Sequence, residues 1–319
     1  MVSMNSKSVH KQKGIALLAV LAVSVTLSIL IGAVTVVMQK QLSIGEDAKQ
    51  LALEKAAIHA KTQELIYLLS TQRVTRAGVS KGSVENSSAK IDGVFLSLLT
   101  GDEIRTDGHK YVEISNQTRI TYSIQATNGL IPINSAEQFW LKKWLKGYGI
   151  DQFTTQKLAD ALADYADEDD WARPSGAETF SYKQNNHAPP PNFLMQTCSE
   201  LYSVMHWYDA IEQYELDLSE CSVSRSGIIN VNAIHENLIK RLLSDSGHQR
   251  AKVRETSKWI MNTHEASLAI SSLTGVDDNR FTVTAKNQFI IEVSGIYSTQ
   301  KVALTIGLGS IKPIILTLR

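Results

Sequence analysis

From Ile15 to Met38 the chain runs for 24 residues without a charge, and this stretch constrains everything that follows it. As a helix rising about 1.5 Å per residue it would be roughly 36 Å long, enough to cross a bilayer core. Lys7, Lys11 and Lys13 precede it with no acid among them, and Gly14 separates the last lysine from the apolar run. A basic flank before an apolar span keeps the amino terminus in the cytoplasm and places everything after Met38 on the other side. A cleaved secretory signal would have a shorter apolar region ending at a small-residue site. This run is too long, and it passes directly into a helical pattern. Two readings remain open on these residues: a plain single-span anchor, or a short basic leader, Lys11-Gln12-Lys13-Gly14, abutting an apolar helix that begins Ile15-Ala16-Leu17-Leu18.

Past the span, the stretch 39–73 continues as a helix. Ile44, Ala48, Leu51, Ile58, Leu65 and Leu69 recur at three-and-four spacing, with Lys, Glu and Gln between them. Lys55 and Thr62 interrupt that stripe, and Gly45 costs about 1 kcal/mol relative to Ala. Ala77 to Ala89, rich in Gly, Ser and Asn, reads as a loop. Thr118 to Ala126 alternates apolar and polar residues, the mark of a half-buried antiparallel strand, and Tyr111 to Ser115 is its expected partner through Asn116-Gln117.

The pattern then turns helical. Asn134-Ser135-Ala136-Glu137-Gln138 offers overlapping capping boxes, so a helix is expected to follow through Trp140 and Trp144, two indoles four residues apart that read as core. A second helix is expected from Thr154 or Thr155 to about Asp167, with Leu158, Ala161, Leu162 and Tyr165 inward. Glu200 to Tyr208, Ala233 to Leu243 and Ala251 to Met261 also read as helical. After Gly275 strands return: Phe281 to Ala285, then Phe289, Ile291 and Val293, then Val302, Leu304, Ile306 and Leu308. A helical block thus interrupts a sheet whose strands lie on either side of it in sequence.

The charge balance, 32 basic against 32 acidic side chains, makes no electrostatic case for nucleic acid or anionic lipid. Only two cysteines occur, Cys198 and Cys221, both on the exported side. An oxidising compartment favours a disulfide between them, worth about 3 kcal/mol by chain entropy, with two unpaired thiols as the alternative.

The most informative chemistry is Asp164-Tyr165-Ala166-Asp167-Glu168-Asp169-Asp170-Trp171, followed by Gly176-Ala177-Glu178 and Tyr182. Asp160 to Asp170 holds six acids and no base, so its self-repulsion needs a bound cation or screening by water. Counted from Asp167 the run superficially fits an EF-hand, but Trp171 and Ala172 stand where a ligand and a Gly are required, which rejects that motif. Hard oxygen ligands without His or Cys favour calcium over zinc or copper, and a solvated acidic face is the alternative.

Three features together resemble a known family. The basic leader ending in Gly14 before the apolar helix is similar to the class III signal of type IV pilins and type II secretion pseudopilins. Most of these carry Glu at the fifth mature position, here Ala19; the K protein of type II secretion typically lacks it. The acidic run resembles the Asp-Trp-Ile-Asp-x-Asp … Gly-Ala-Glu … Tyr motif of K pseudopilins, with Tyr165 and Ala166 replacing Trp and Ile, and Ser199-Glu200-Leu201 matches a Ser-Glu-Leu of that family.

The resemblance implies an α+β fold: a pilin-like head on a long N-terminal membrane helix, with an antiparallel sheet and a large inserted all-helical domain. The expected parts are a leader at 1–14, the membrane and periplasmic halves of the spine at 15–38 and 39–73, the head at 74–133 and 273–319, and the insert at 134–272. A prepilin peptidase is expected to cut between Gly14 and Ile15 and N-methylate Ile15. That removes three lysines and leaves 29 basic against 32 acidic side chains. Calcium is implied in the insert, with Asp164, Asp167, Asp169, Asp170 and Glu178 supplying some of its ligands. The implied function is that of a minor pseudopilin in the inner membrane, its C-terminal part periplasmic. It would act in the tip or initiation complex of the pseudopilus that drives proteins across the outer membrane. Other minor pseudopilins, the major pseudopilin, the peptidase and the inner-membrane secretion platform are the implied partners.

No catalytic signature competes with this. The eight His are scattered, and neither Gly-x-Ser-x-Gly nor His-Glu-x-x-His occurs. An acid pair such as Asp164 and Asp167 offers acid–base chemistry in principle, but cation binding explains more of its surroundings. Gly227 to Ala233 leading into Leu238 to Val253 faintly resembles a helix-hairpin-helix module for DNA. Its hairpin, Ser244-Asp245-Ser246-Gly247-His248, carries an acid and a single Gly, so packing is the better role. The chain is read as a structural subunit and not an enzyme; a type IV pilus minor pilin, or a membrane-anchored periplasmic enzyme or binding protein, is the alternative.

Overall fold

The computed structural model describes residues 13–82, 99, 101–115, 118–243, 259–270, 273, 275–306 and 314–318. Helix α1 runs without a break from Lys13 to Thr71, and two compact units divide the chain at Ala56 and Ala57. In the first unit every side chain from Ala16 to Gln50 is exposed. Among the described residues one helix is therefore apolar and long enough to cross a membrane and is buried against nothing in its own unit, which is compatible with a single-pass anchor.

The second unit opens with the last turns of α1, where Ala57, Ile58, Leu65, Ile66 and Leu69 form one apolar face. Thr62, which breaks the apolar stripe in the sequence, is 1% exposed in that face because its hydroxyl donates back to the Ile58 carbonyl at 2.8 Å. Lys61 is also buried. Burial opposes its charge, but Glu113 at 2.7 Å and Glu64 at 3.0 Å outweigh that, and its pKa rises.

A two-stranded ribbon follows, β1 (Gly78–Val79) with β2 (Ile104–Arg105). The central sheet comes from β3 (Tyr111–Ser115), β4 (Thr118–Ala126) and three strands from the far end of the chain. Between these lie β5 (Ile131–Pro132), α2 (Phe139–Gly147), α3 (Gln152–Ala166), α4 (Thr179–Gln184), α5 (Trp207–Tyr214), β6 (Cys221–Ser222), β7 (Ile229–Asn230), α6 (Glu236–Leu243), α7 (Thr263–Ala269) and β8 (Phe281–Thr282). Then come β9 (Gln288–Ser294), β10 (Thr299–Thr305) and β11 (Ile314–Leu318). The sheet order is β11-β10-β9-β4-β3, antiparallel throughout, so β4 and β9 pair across more than 160 residues of intervening chain. The register sets Tyr122 opposite Val293, Ile124 opposite Ile291 and Ala126 opposite Phe289, which puts these side chains on one face with the α1 residues above.

The helical block has its own core, built on Trp140, Trp144, Tyr182, Leu201 and Trp207. Each buried indole hides roughly 150–250 Å² of surface, provided its N–H finds a partner. All three do: Trp140 donates to the Arg280 carbonyl, Trp144 to Glu220 and Trp207 to the Leu158 carbonyl, each at 2.8 Å. Cys198 and Cys221, 23 residues apart, are joined by a disulfide at the edge of this core.

Several local readings shift. The capping residues at 134–138 do not start a helix: α2 begins at Phe139 with no side-chain cap, because Asn134 is spent on Met195 and on the Val223 carbonyl. Helix α3 starts at Gln152, where Asp151 accepts from the backbone N–H of Phe153 and Thr154 at 2.8 and 3.0 Å. The stretch 200–208 splits into a 3-10 turn, Cys198–Ser203, and the start of α5. Phe281 does not join the head sheet: β8 pairs in parallel with β7, and Phe281 and Val283 pack in the helical core. Residues 251–258 of the expected Ala251–Met261 helix and the hairpin at 244–248 lie outside the described residues.

Candidate metal centre

The acidic run sits where α3 ends. Asp167 is its C-cap, with extended backbone, and residues 167–178 form a loop that returns to α4. Asp169 turns the loop by accepting the Trp171 N–H at 2.8 Å. Glu178 is the N-cap of α4, but its side chain makes no capping bond. Its carboxylate instead points back at the end of α3, so that Asp167, Asp169 and Glu178 each present an oxygen within 4.8 Å of the others.

The electrostatics are those of an unfinished site. Glu178 is 5% exposed and neither carboxylate oxygen has a hydrogen-bond partner. Burial first, and then the charges of Asp164, Asp167 and Asp170, push its pKa up to about 7. The Oδ1 atoms of Asp167 and of Asn192 are likewise buried without partners. Buried polar atoms in folded proteins are nearly always satisfied, so the three orphaned oxygens of Asp167 and Glu178 make this a candidate position for a ligand that accepts lone pairs. All are oxygens, a donor set that suits a hard divalent cation such as calcium.

The five acids expected to bind metal are not equivalent here. Asp167, Asp169 and Glu178 come together. Asp170 turns toward the Asn192 side-chain amide, 3.3 Å from its Oδ1. Asp164, fully buried, is already engaged: it accepts the Arg173 backbone N–H at 3.0 Å and the Arg173 guanidinium at 2.5 Å. The same Nη1 reaches Asp167 Oδ2 at 2.5 Å. The repulsion within 160–170 is thus relieved in part by a cation of the chain itself, three residues past the run. Asp160 lies outside the cluster and accepts from Gln156 at 2.7 Å.

Sequence reasoning missed Arg173 and Asn192, and singled out Gly176 without its role. A Cβ on Gly176 would stand 1.8 Å from Asp164 Oδ2, so the loop closes over Asp164 only with a glycine there. The Gly-Ala-Glu triplet carried that signal; nothing local marks Asn192, whose backbone adopts φ 50° after the proline run. Gly14 and Ile15 lie in the first turns of α1.

Residues 120–214 match the family model described as type II secretion system (T2SS), protein K. Over this segment the chain is similar to the protein K family of type II secretion. The matched segment runs from β4 through the acidic loop to the end of α5, so the protein K model covers all of Asp164 to Glu178. No curated protein matches the chain. Among solved structures, the chain is similar in fold to a crystal structure of the GspK-GspI-GspJ complex from the enterotoxigenic Escherichia coli type 2 secretion system. The TM-score is 0.51 at 14% identity, covering 88% of this chain and 99% of the other.

Proposed function

We propose that this chain is a protein K family member and the first subunit of the pseudopilus, anchored in the inner membrane through 15–38, with its head in the periplasm. The observation that carries the proposal is Ala19, at the fifth position counted from Ile15. In a filament assembled from below, a glutamate at that position neutralises the terminal amine of the neighbour above. In lipid an unpaired charge costs at least about 2.5–3.5 kcal/mol. A subunit with nothing above it bears that cost without return, and here the position is alanine. The separately cored helical block supports the same place, because its bulk would obstruct a subunit stacked on top. Other minor pseudopilins, counterparts of the GspI and GspJ that accompany GspK in the similar structure, are the partners this reading assigns, with the major pseudopilin below.

Within the helical block, Asp167, Asp169 and Glu178 hold calcium, with Asp170 and Asn192 beside them and Asp164 acting through Arg173. The ion supplies the lone-pair acceptor that the buried oxygens lack and fastens the loop to both α3 and α4. Quantitative mass spectrometry of isolated pseudopili, with immunogold labelling of the head, tests the position. One copy per filament with label at one end is expected. Label along the shaft, at a stoichiometry near that of the major subunit, overturns it.

A further inference from the structure

We propose that Arg173 is a resident cation of the acidic site: it holds the metal-free loop in place and, through the same charge, weakens the site for calcium. The inference rests on the calcium reading above.

Three observations place it. The Arg173 guanidinium bridges Asp164 Oδ1 and Asp167 Oδ2, each at 2.5 Å from one nitrogen, so it ties the last turn of α3 to the loop. Its anchor is rigid: Asp164 is fully buried, packed under Gly176, and also accepts the Arg173 backbone N–H. And it satisfies only one side of the cluster. Asp167 Oδ1 and both oxygens of Glu178 stay buried without partners. One positive charge thus neutralises the α3 side while the side facing Glu178 remains open to a divalent ion.

The two roles follow from Coulomb's law. Without metal, the guanidinium pairs directly with Asp164 and Asp167 and stabilises the fold. When a divalent ion enters, the same guanidinium is a like charge a few ångströms away, sharing a carboxylate with it, and repels it. Removing the charge therefore has opposite effects on metal-free stability and on calcium affinity. A side chain that only supported the loop would lower both together.

The test uses the full chain in detergent, with thermal midpoints measured in chelator and calcium affinity measured by isothermal titration of calcium chloride. Arg173→Gln is expected to melt lower than wild type in chelator and to bind calcium about tenfold more tightly. Arg173→Lys keeps the charge and is expected to bind within about threefold of wild type. Equal or weaker calcium binding by Arg173→Gln, with wild type binding normally, overturns the role of Arg173 alone. Wild type that takes up no calcium overturns the calcium reading and this inference with it. Should Arg173→Gln fail to fold even in calcium, the lysine variant decides: a tenfold change in its affinity in either direction overturns the proposal.

Discussion

At Glu178 one carboxylate is pulled in two directions. Folding buries it among Asp164, Asp167 and Asp170, which favours its protonated form; metal binding requires the ionised one. The folded pKa of about 7 lies above the ordinary 4.5. In chelator, between those values, the folded state binds more protons than the unfolded state. Glu178 then contributes stability that is complete below pH 4.5 and lost as pH rises through 7. His109 and His206 act in the opposite sense, since burial lowers their pKa values. The readout is therefore a difference: the melting midpoint of Glu178→Gln minus that of wild type should grow from pH 5 to pH 7.5 in chelator. A difference that stays flat or shrinks over that range contradicts the assignment.

Among the secondary elements, a buried polar junction through Glu220 joins α2 to α6. Glu220 is 1% exposed; its Oε2 accepts from Trp144 at 2.8 Å and Tyr148 at 2.9 Å, and its Oε1 pairs with Arg241 from α6. Arg241 also lies over the Tyr148 ring at 4.1 Å, and burial raises the Tyr148 pKa. Removing one partner of such a pair strands the other, at a cost of about 3–5 kcal/mol. Glu220→Gln should lose that much in chemical denaturation, and a combined Glu220→Gln, Arg241→Met variant should recover part of it. A loss below about 1 kcal/mol in the single variant would show that the junction is not tightly coupled to folding. The amphipathic core of α2 was legible, because Trp140, Leu141, Trp144 and Leu145 follow helical spacing. Its start was not, because Asn134, a capping type in sequence, is claimed by backbone groups 61 and 89 residues away.

For the molecule as a whole, the apolar residues exposed along α1 suit lipid or neighbouring helices, and the basic stretch before them motivates the proposal of a cut after Gly14. Intact-mass analysis of the membrane protein, from cells with an active prepilin peptidase, should find an N-methylated Ile15 as the first residue. Retention of Met1 to Gly14 would instead fit a plain anchor.

The sequence by itself determined what depends on periodicity and composition: the long apolar helix, the paired strands at 111–126, the returning strands at 288–305 and the acidic run. Each of these is written in residues close together in the chain. Only the tertiary structure decided which acids share one site. That depends on the chain turning back at 167–178, so that Glu178 loses its water beside Asp167 while Arg173 folds over Asp164. Desolvation and charge pairing are set by distance in space, and no local spacing in the sequence encodes that distance.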